Sequence, residues 1–280
     1  MATFMERMQV RRRLWWGAVG GRPALHRLGE LVVRRHRADA DDRWHCCDAW
    51  PRRLANKWNG RELAARHGVR VPALFWFGRR PGAIPFDALP PQFVVRPVHG
   101  AGGRGVHVVA GDRELLGVRA LPRAALRPLI VGALGRVTRW PLLVEEFARR
   151  EDGSVRLPTE YKCYAFAGTV GVIQVVDRRR RNDARHRFYL PDWTPIDDDF
   201  QTDNAPAPPA DPPRCLDEIL RAARVLGAAC GTFMRVDCFA TPAGCVFDEV
   251  ATTPNHGAGF TPHADALLGE LWQRIIPDRV

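Results

Sequence analysis

Arg235-Val-Asp-Cys-Phe-Ala-Thr-Pro-Ala-Gly-Cys-Val-Phe-Asp-Glu-Val-Ala-Thr-Thr-Pro254 reads as a β-hairpin whose turn is Pro242-Ala243-Gly244. With a three-residue loop and Gly244 in the left-handed position, residue 241 faces 245, and counting back sets Asp237 opposite Glu249. Directly opposite residues share a sheet face, with Cβ atoms roughly 4.5 to 5.5 Å apart. Two carboxylates so placed repel unless a cation lies between them, and an all-oxygen ligand set suits magnesium rather than zinc. The count puts Asp248 on the other face. The apolar neighbours Val236, Phe239, Val246 and Phe247 argue against a merely solvated acidic pair.

Outward from the hairpin, the next informative stretch is Phe93-Val-Val-Arg-Pro-Val-His-Gly-Ala-Gly-Gly-Arg-Gly-Val106. A strand ending in glycines lays backbone N–H groups against phosphate oxygens. Here the glycines Gly100, Gly102, Gly103 and Gly105 lie between two strands. That disfavours a dinucleotide fingerprint, which must open a helix. A flap over phosphates fits, with Arg96 at the strand end and His99 or Arg104 as helpers. Leu142-Leu-Val-Glu-Glu-Phe-Ala148 is an apolar strand that turns abruptly acidic. Such a strand end can present backbone groups to an adenine edge and a carboxylate to ribose hydroxyls, or be a simple terminus. Together these segments point to a nucleoside triphosphate and its divalent ion.

Bulk composition sets the frame. At 280 residues and 46% hydrophobic content the chain can bury a sizeable core. Its balance of +11 suits phosphate-bearing or anionic partners. Nucleic acid is therefore weighed, but the aromatics fall in apolar strands and no recognised nucleic-acid module is present, so none is expected. Only Lys57 and Lys162 are lysines among the 42 basic residues, which suggests that a compact ammonium is needed at both. The seven cysteines show no Cys-x-x-Cys spacing, and several sit in apolar runs, as expected of a reducing cytoplasm. The adjacent Cys46 and Cys47 are poorly placed for a shared tetrahedral metal site. No apolar stretch reaches the roughly 18 to 20 residues of a membrane span. Trp15 and Trp16 beside three arginines offer a peripheral contact with an anionic membrane, with packing onto the protein body as the alternative.

Hydrophobic spacing predicts helices over 22–37 and 51–67, a strand at Val69 to Phe77 closing a first lobe, and a proline-marked boundary from Pro81 to Pro91. Strands follow at 92–97, 106–109 and 142–147, with a helical stretch from Arg113 interrupted at Pro122 and Pro128. A hairpin is expected over 159–177, then a polar, arginine-rich run, an extended proline-rich segment from Ala205 to Pro213, and an amphipathic helix through Leu216, Ile219, Leu220, Ala223 and Leu226. The expected organisation is a basic helical extension (1–50), an N-terminal lobe (51–90), a central lobe with the flap (91–150) and a C-terminal lobe with the hairpin (151–280). Irregular alternation with hairpins and no run of βαβ units indicates an α+β class.

Lys57, the glycine turn, Val144-Glu-Glu-Phe147, Glu160-Tyr-Lys162, Arg235-x-Asp237 and Glu249-x-x-x-x-Pro254 follow one another in an order that resembles the ATP-grasp superfamily. Asn56-Lys57, Arg61, Tyr161-Lys-Cys-Tyr-Ala-Phe-Ala-Gly168 and Arg187-Phe-Tyr-Leu-Pro-Asp-Trp193 make it similar to the TupA-like, teichuronopeptide-biosynthesis branch, over about residues 54 to 272. The resemblance implies a three-lobed fold with ATP clamped between two antiparallel-sheet lobes, and an ADP-forming ligase joining a small-molecule or peptide carboxylate to an amine. It further implies Lys57, Arg96, His99 and the flap glycines at the phosphates, and Glu145, Glu146 and Phe147 at the adenine hinge. Glu160 would hold ribose, and Lys162 and Arg235 would act on the transferred phosphoryl group. Asp237 and Glu249 would hold magnesium, with Asn255 among the residues able to complete the shell. Arg178, Arg180, His186 and Arg187 are candidates for gripping an anionic substrate, or else line a solvated loop.

Two positions depart from the pattern. Arg96 stands where the family usually has a phosphate-binding lysine, and Ala251 where an asparagine usually supplies a third metal ligand. These departures keep a non-catalytic nucleotide-binding scaffold in view.

Overall fold

The computed structural model describes residues 54 and 56–276, except 101, 118–122, 138–139, 197–199, 202–204, 232, 253 and 255–259. The expectations for residues 1–50, among them the 22–37 helix, the Trp15–Trp16 patch and the Cys46–Cys47 pair, and that for Asn255, lie outside the described residues.

Helix α1 (Lys57–Arg66) begins at Asn56, whose side-chain oxygen accepts from the Asn59 amide and so satisfies one of the helix's free N–H groups. It then leads into β1 (Leu74–Gly78). Strands β2 (Gln92–Pro97), β3 (His107–Ala110), β4 (Arg113–Glu114) and β5 (Leu142–Glu146) join β1 in an antiparallel sheet ordered β1-β5-β2-β3-β4. Alternation in β2 sends Phe93 and Val95 to one face, where Leu126, Ile130 and Leu134 of α2 (Arg123–Val137) pack on them at four-residue spacing. The helix runs through Pro128, which had been expected to interrupt it. Val94 and Arg96 are left for the opposite face.

The second sheet comprises β6 (Glu160–Phe166), β7 (Thr169–Arg180), β8 (Asp183–Tyr189), β9 (Pro195–Ile196), β10 (Ala205–Pro206), β11 (Phe233–Thr241) and β12 (Gly244–Ala251). Its order is β10-β8-β7-β6-β11-β12, with β9 on β8. The arginine-rich run is part of this sheet rather than a free loop. β7 continues to Arg180 and β8 starts at Asp183, because the outer ends of paired strands satisfy their backbone without needing apolar side chains.

Helix α3 (Leu216–Cys230) covers one face of this sheet, burying Ile219, Ala223 and Leu226 against Cys163, Ile173, Met234 and Val236. Helix α4 (Pro262–Ile275) covers part of the other, with Leu268 and Trp272 on Tyr164, Phe166 and Phe233. On β6 the face bearing Tyr164 and Phe166 also bears Lys162 and Glu160 by alternation. Beyond the reach of α4 that face is polar, and it turns toward the first sheet.

The stretch 51–90, expected as a lobe of its own, is divided among the described residues. Leu63, Ala64 and Val69 enter the core under α3, and a Cβ at Gly60 would lie 3.2 Å from Val250 on β12. β1 instead pairs with β5, from Leu74 opposite Glu145 to Gly78 opposite Leu142.

Candidate active site

The hairpin brings Asp237 opposite Glu249, though by a different route from the one counted in the sequence. Thr241 pairs with Gly244 across a two-residue turn, and that register continued would set Asp237 against Asp248. A bulge between Asp237 and Cys238 shifts the pairing by one residue, leaving Asp248 as the extra residue. The bulge keeps Asp237 and Glu249 together and brings Asp248 into the cleft, where Arg96 Nη1 donates to its Oδ1 at 2.5 Å. Placing Asp248 on the far face is thus corrected: a bulge re-aims its side chain.

Asp237 is fully buried and held by two cations. Lys162 Nζ donates to Oδ2 at 2.8 Å, and Arg235 grips both oxygens at 2.7 and 2.6 Å. Lys162 also pairs with Glu160 at 2.8 Å. Glu249 faces Lys57 at 3.1 Å and Arg235 at 3.8 Å. Both lysines of the chain are therefore in this cluster. Lys57 Nζ reaches Gly100 O at 3.2 Å as well, joining the carboxylate to the start of the flap.

Glu145 is buried between two guanidinium groups, Arg61 at 2.9 Å and Arg96 at 2.7 Å. Arg96 completes its fork with the Asp248 backbone oxygen at 3.1 Å. The departure from lysine is used here: Nε, Nη1 and Nη2 serve two carboxylates and a carbonyl, which one ammonium could not span. Arg61, already among the residues that carry the resemblance, lies four residues after Lys57 and hence on the same helix face. Asp248 had no such signal.

Burial pushes the Glu249 carboxyl up, but Lys57, Lys162, Arg235 and Arg96 together outweigh it and hold it down to about 2. Glu160 is likewise held to about 2, Lys162 and Arg178 overcoming its burial. Asp248 goes the other way, up to about 6, because burial and the charges of Glu249, Glu160 and Asp237 outweigh Arg96. Five carboxylates, Glu145, Glu160, Asp237, Asp248 and Glu249, thus crowd one cleft. Two-carboxylate sites hold magnesium when phosphate and water oxygens complete the shell, so the donor set fits an ion carried in by a triphosphate. Among the described residues no group of three or more His, Cys, Asp and Glu is arranged as a metal cage.

The remaining sequence-derived candidates separate. Gly100, Gly102, Gly103 and Gly105 all take positive φ, the conformation a tight flap needs. The His99 ring packs on Trp140, with centroids 4.8 Å apart. Arg178 donates to Glu160 at 2.9 Å from the cleft face. His186 shares that face, its Nδ1 2.8 Å from the Gln174 amide, and burial with the nearby Lys162 charge lowers it to about 4. Arg187 pairs with Val175, so it belongs to the opposite face, while Arg180 is exposed at the end of β7. Glu146 and Phe147 line a cavity of about 420 Å³ at the hinge between the sheets, with Pro90, Gln92, Arg149 and Val246. None of the cleft cations borders it. Phe147 also joins Val108, Leu116 and Leu157 in an apolar cluster beside the flap.

Two sheets, antiparallel but for the β10–β8 pair, facing across a cleft, with a glycine flap on one and a carboxylate hairpin on the other, define the ATP-grasp fold. One solved structure shares this fold: the D-Ala:D-Ser ligase VanG from Enterococcus faecalis matches with a TM-score of 0.53 at 18% identity, over 82% of this chain and 63% of that one. A D-alanine–D-alanine ligase from Bacillus anthracis, solved with ATP, matches at 0.48 and 16% identity, over 81% of this chain and 66% of that one. The chain spans less than two thirds of the length of these ligases. No curated protein matches it. The TupA-like ATP-grasp family model matches residues 73–273, and the chain belongs to that family.

Proposed function

We propose that the protein is an ATP-dependent, ADP-forming ligase that couples a carboxylate to an amine, in the assembly of a peptide natural product or a cell-surface polymer. The observation that carries this reading is the Asp237–Glu249 pair, ringed by Lys57, Lys162 and Arg235. Without nucleotide these cations neutralise the carboxylates. With a triphosphate in the cleft, the ammonium and guanidinium groups exchange carboxylate for phosphate oxygens.

Glu145 and Glu146 lead the chain past the base, Phe147 supplies apolar surface and Glu160 accepts from ribose hydroxyls. The flap amides, Lys57 and Arg96 serve the phosphates, with His99 beside them. A carboxylate oxygen of the substrate attacks the γ-phosphorus, the bond to ADP breaks, and an acyl phosphate forms. Lys162 and Arg235 stabilise the charge that spreads over the transferred oxygens. The amine nitrogen then attacks the acyl carbon, phosphate leaves, and the nitrogen loses a proton to give the amide. Magnesium, held by Asp237 and Glu249, would neutralise phosphate charge. Arg178, Arg180 and His186 border the approach for an anionic substrate; Arg187, on the opposite face of β8, is set aside. Ala251, which pairs with Arg235 and offers no metal ligand, favours a second reading, a scaffold that binds ATP without turning it over.

The test is ADP release with magnesium against pooled amino acids, short peptides and sugar acids, with hydroxylamine trapping of acyl phosphate as hydroxamate. The ligase reading expects both signals in one mixture and neither with Glu249→Ala. ATP binding with no ADP in any mixture would favour the scaffold.

A further inference from the structure

We infer that Arg181, at the turn between β7 and β8, is a positioning residue that pins the glycine flap from the opposite sheet. Its Nη1 donates to Gly103 O and its Nη2 to Val106 O, the latter at 2.7 Å. Its own amide donates to Leu116 O at 3.2 Å, just past β4. The side chain and the backbone amide of Arg181 therefore hold both the flap and the segment just past β4, the strand that pairs with β3 where the flap ends. The guanidinium fork suits this task, because its fixed geometry engages two carbonyls at once.

The flap needs such a pin. Gly102, Gly103 and Gly105 have φ of 65°, 69° and 72°, and a backbone without Cβ atoms visits many other conformations. Lys57 holds the flap at Gly100, but the same ammonium pairs with Glu249 and is shared with the phosphate site. Arg181 has no such divided duty, since its ties to the flap are to carbonyls. Arg178 braces it: Nη1 donates to Arg181 O at 3.1 Å while Nε donates to Glu160. A continuous path thus runs from Glu160 through Arg178 to Arg181 and the flap. Burial lowers the His107 imidazole on β3 and raises the Glu114 carboxyl on β4; the Arg181 charge adds to the first shift and opposes the second.

That the pinned flap covers phosphates rests on the function proposed above; the pin itself does not. Hydrogen exchange of the full chain without nucleotide separates the two. Arg181→Ala should speed exchange of the peptide covering 102–107 by about tenfold, the loss of two charge-assisted hydrogen bonds. Arg181→Lys, able to reach one carbonyl, should fall between, and Arg179→Ala should match the native protein. Unchanged exchange at 160–166 checks that each variant is folded. In an ATP-consuming mixture Arg181→Ala should raise the KM for ATP by about tenfold with a smaller change in kcat. Flap exchange that is the same in Arg181→Ala and the native chain would overturn the inference, as would a loss confined to kcat. No ATP consumption by the native protein would count against the proposed ligase and leave the exchange result to decide the pin.

Discussion

Arg96 shows how much one side chain can organise. It is buried, and its three donors meet Glu145, Asp248 and the Asp248 carbonyl, so truncation strands the Asp248 carboxylate and leaves Glu145 with Arg61 alone in a desolvated cleft. Arg96→Ala should cost about 3 kcal/mol of stability by urea unfolding, and Arg96→Lys a large part of that, because one ammonium cannot replace the fork. His107 supplies a second residue-scale prediction. Burial and the Arg181 charge lower it from 6.5 to about 4, so the unfolded chain takes up its proton first. Its contribution to stability is complete above pH 6.5 and is lost as pH falls through 4. By pH 5 on the order of 2 kcal/mol of it has been lost. Replacing it with Gln should flatten the stability curve between pH 6.5 and 4; an unchanged slope would show that the imidazole is not buried as described. From sequence, Arg96 stood out as a misplaced lysine, yet its partners were hidden, because Glu145 is 49 residues away and Asp248 152.

At the level of elements, the hairpin, the glycine turn and α3 were legible because local rules govern them: alternation, positive φ at glycine, and 3.6-residue spacing. The bulge at Asp248 was not. A two-residue turn plus one extra residue gives the same Asp237–Glu249 pairing as a three-residue loop, and only coordinates separate them. The length of β7 was missed for another reason, since its arginine-rich end pairs through backbone alone. Close packing of α3 on the β6–β7 turn makes a further test. A Cβ at Gly227 would sit 2.9 Å from Gly168 N and 3.1 Å from Ala165 Cβ. Gly227→Ala should therefore cost roughly 1 to 3 kcal/mol in denaturant unfolding, despite alanine's better helix propensity.

Over the whole molecule, the order of motifs disclosed the ATP-grasp fold, since two lobes closing on one ligand require their contacts in a set sequence. The division of 51–90 was invisible, because α1 and β1 read alike whether they build a lobe or complete two others. Among the described residues no helix is long and apolar enough to cross a membrane. The cleft joins its two sheets through ion pairs, and the proposed ligase uses those charges to receive a metal-bound triphosphate. Calorimetric titration of ATP into the full chain, with and without magnesium, measures this directly. Magnesium-dependent binding of ATP is expected, weakened at least about tenfold in Asp237→Asn and in Glu249→Gln. Binding that ignores magnesium and survives both substitutions would contradict it.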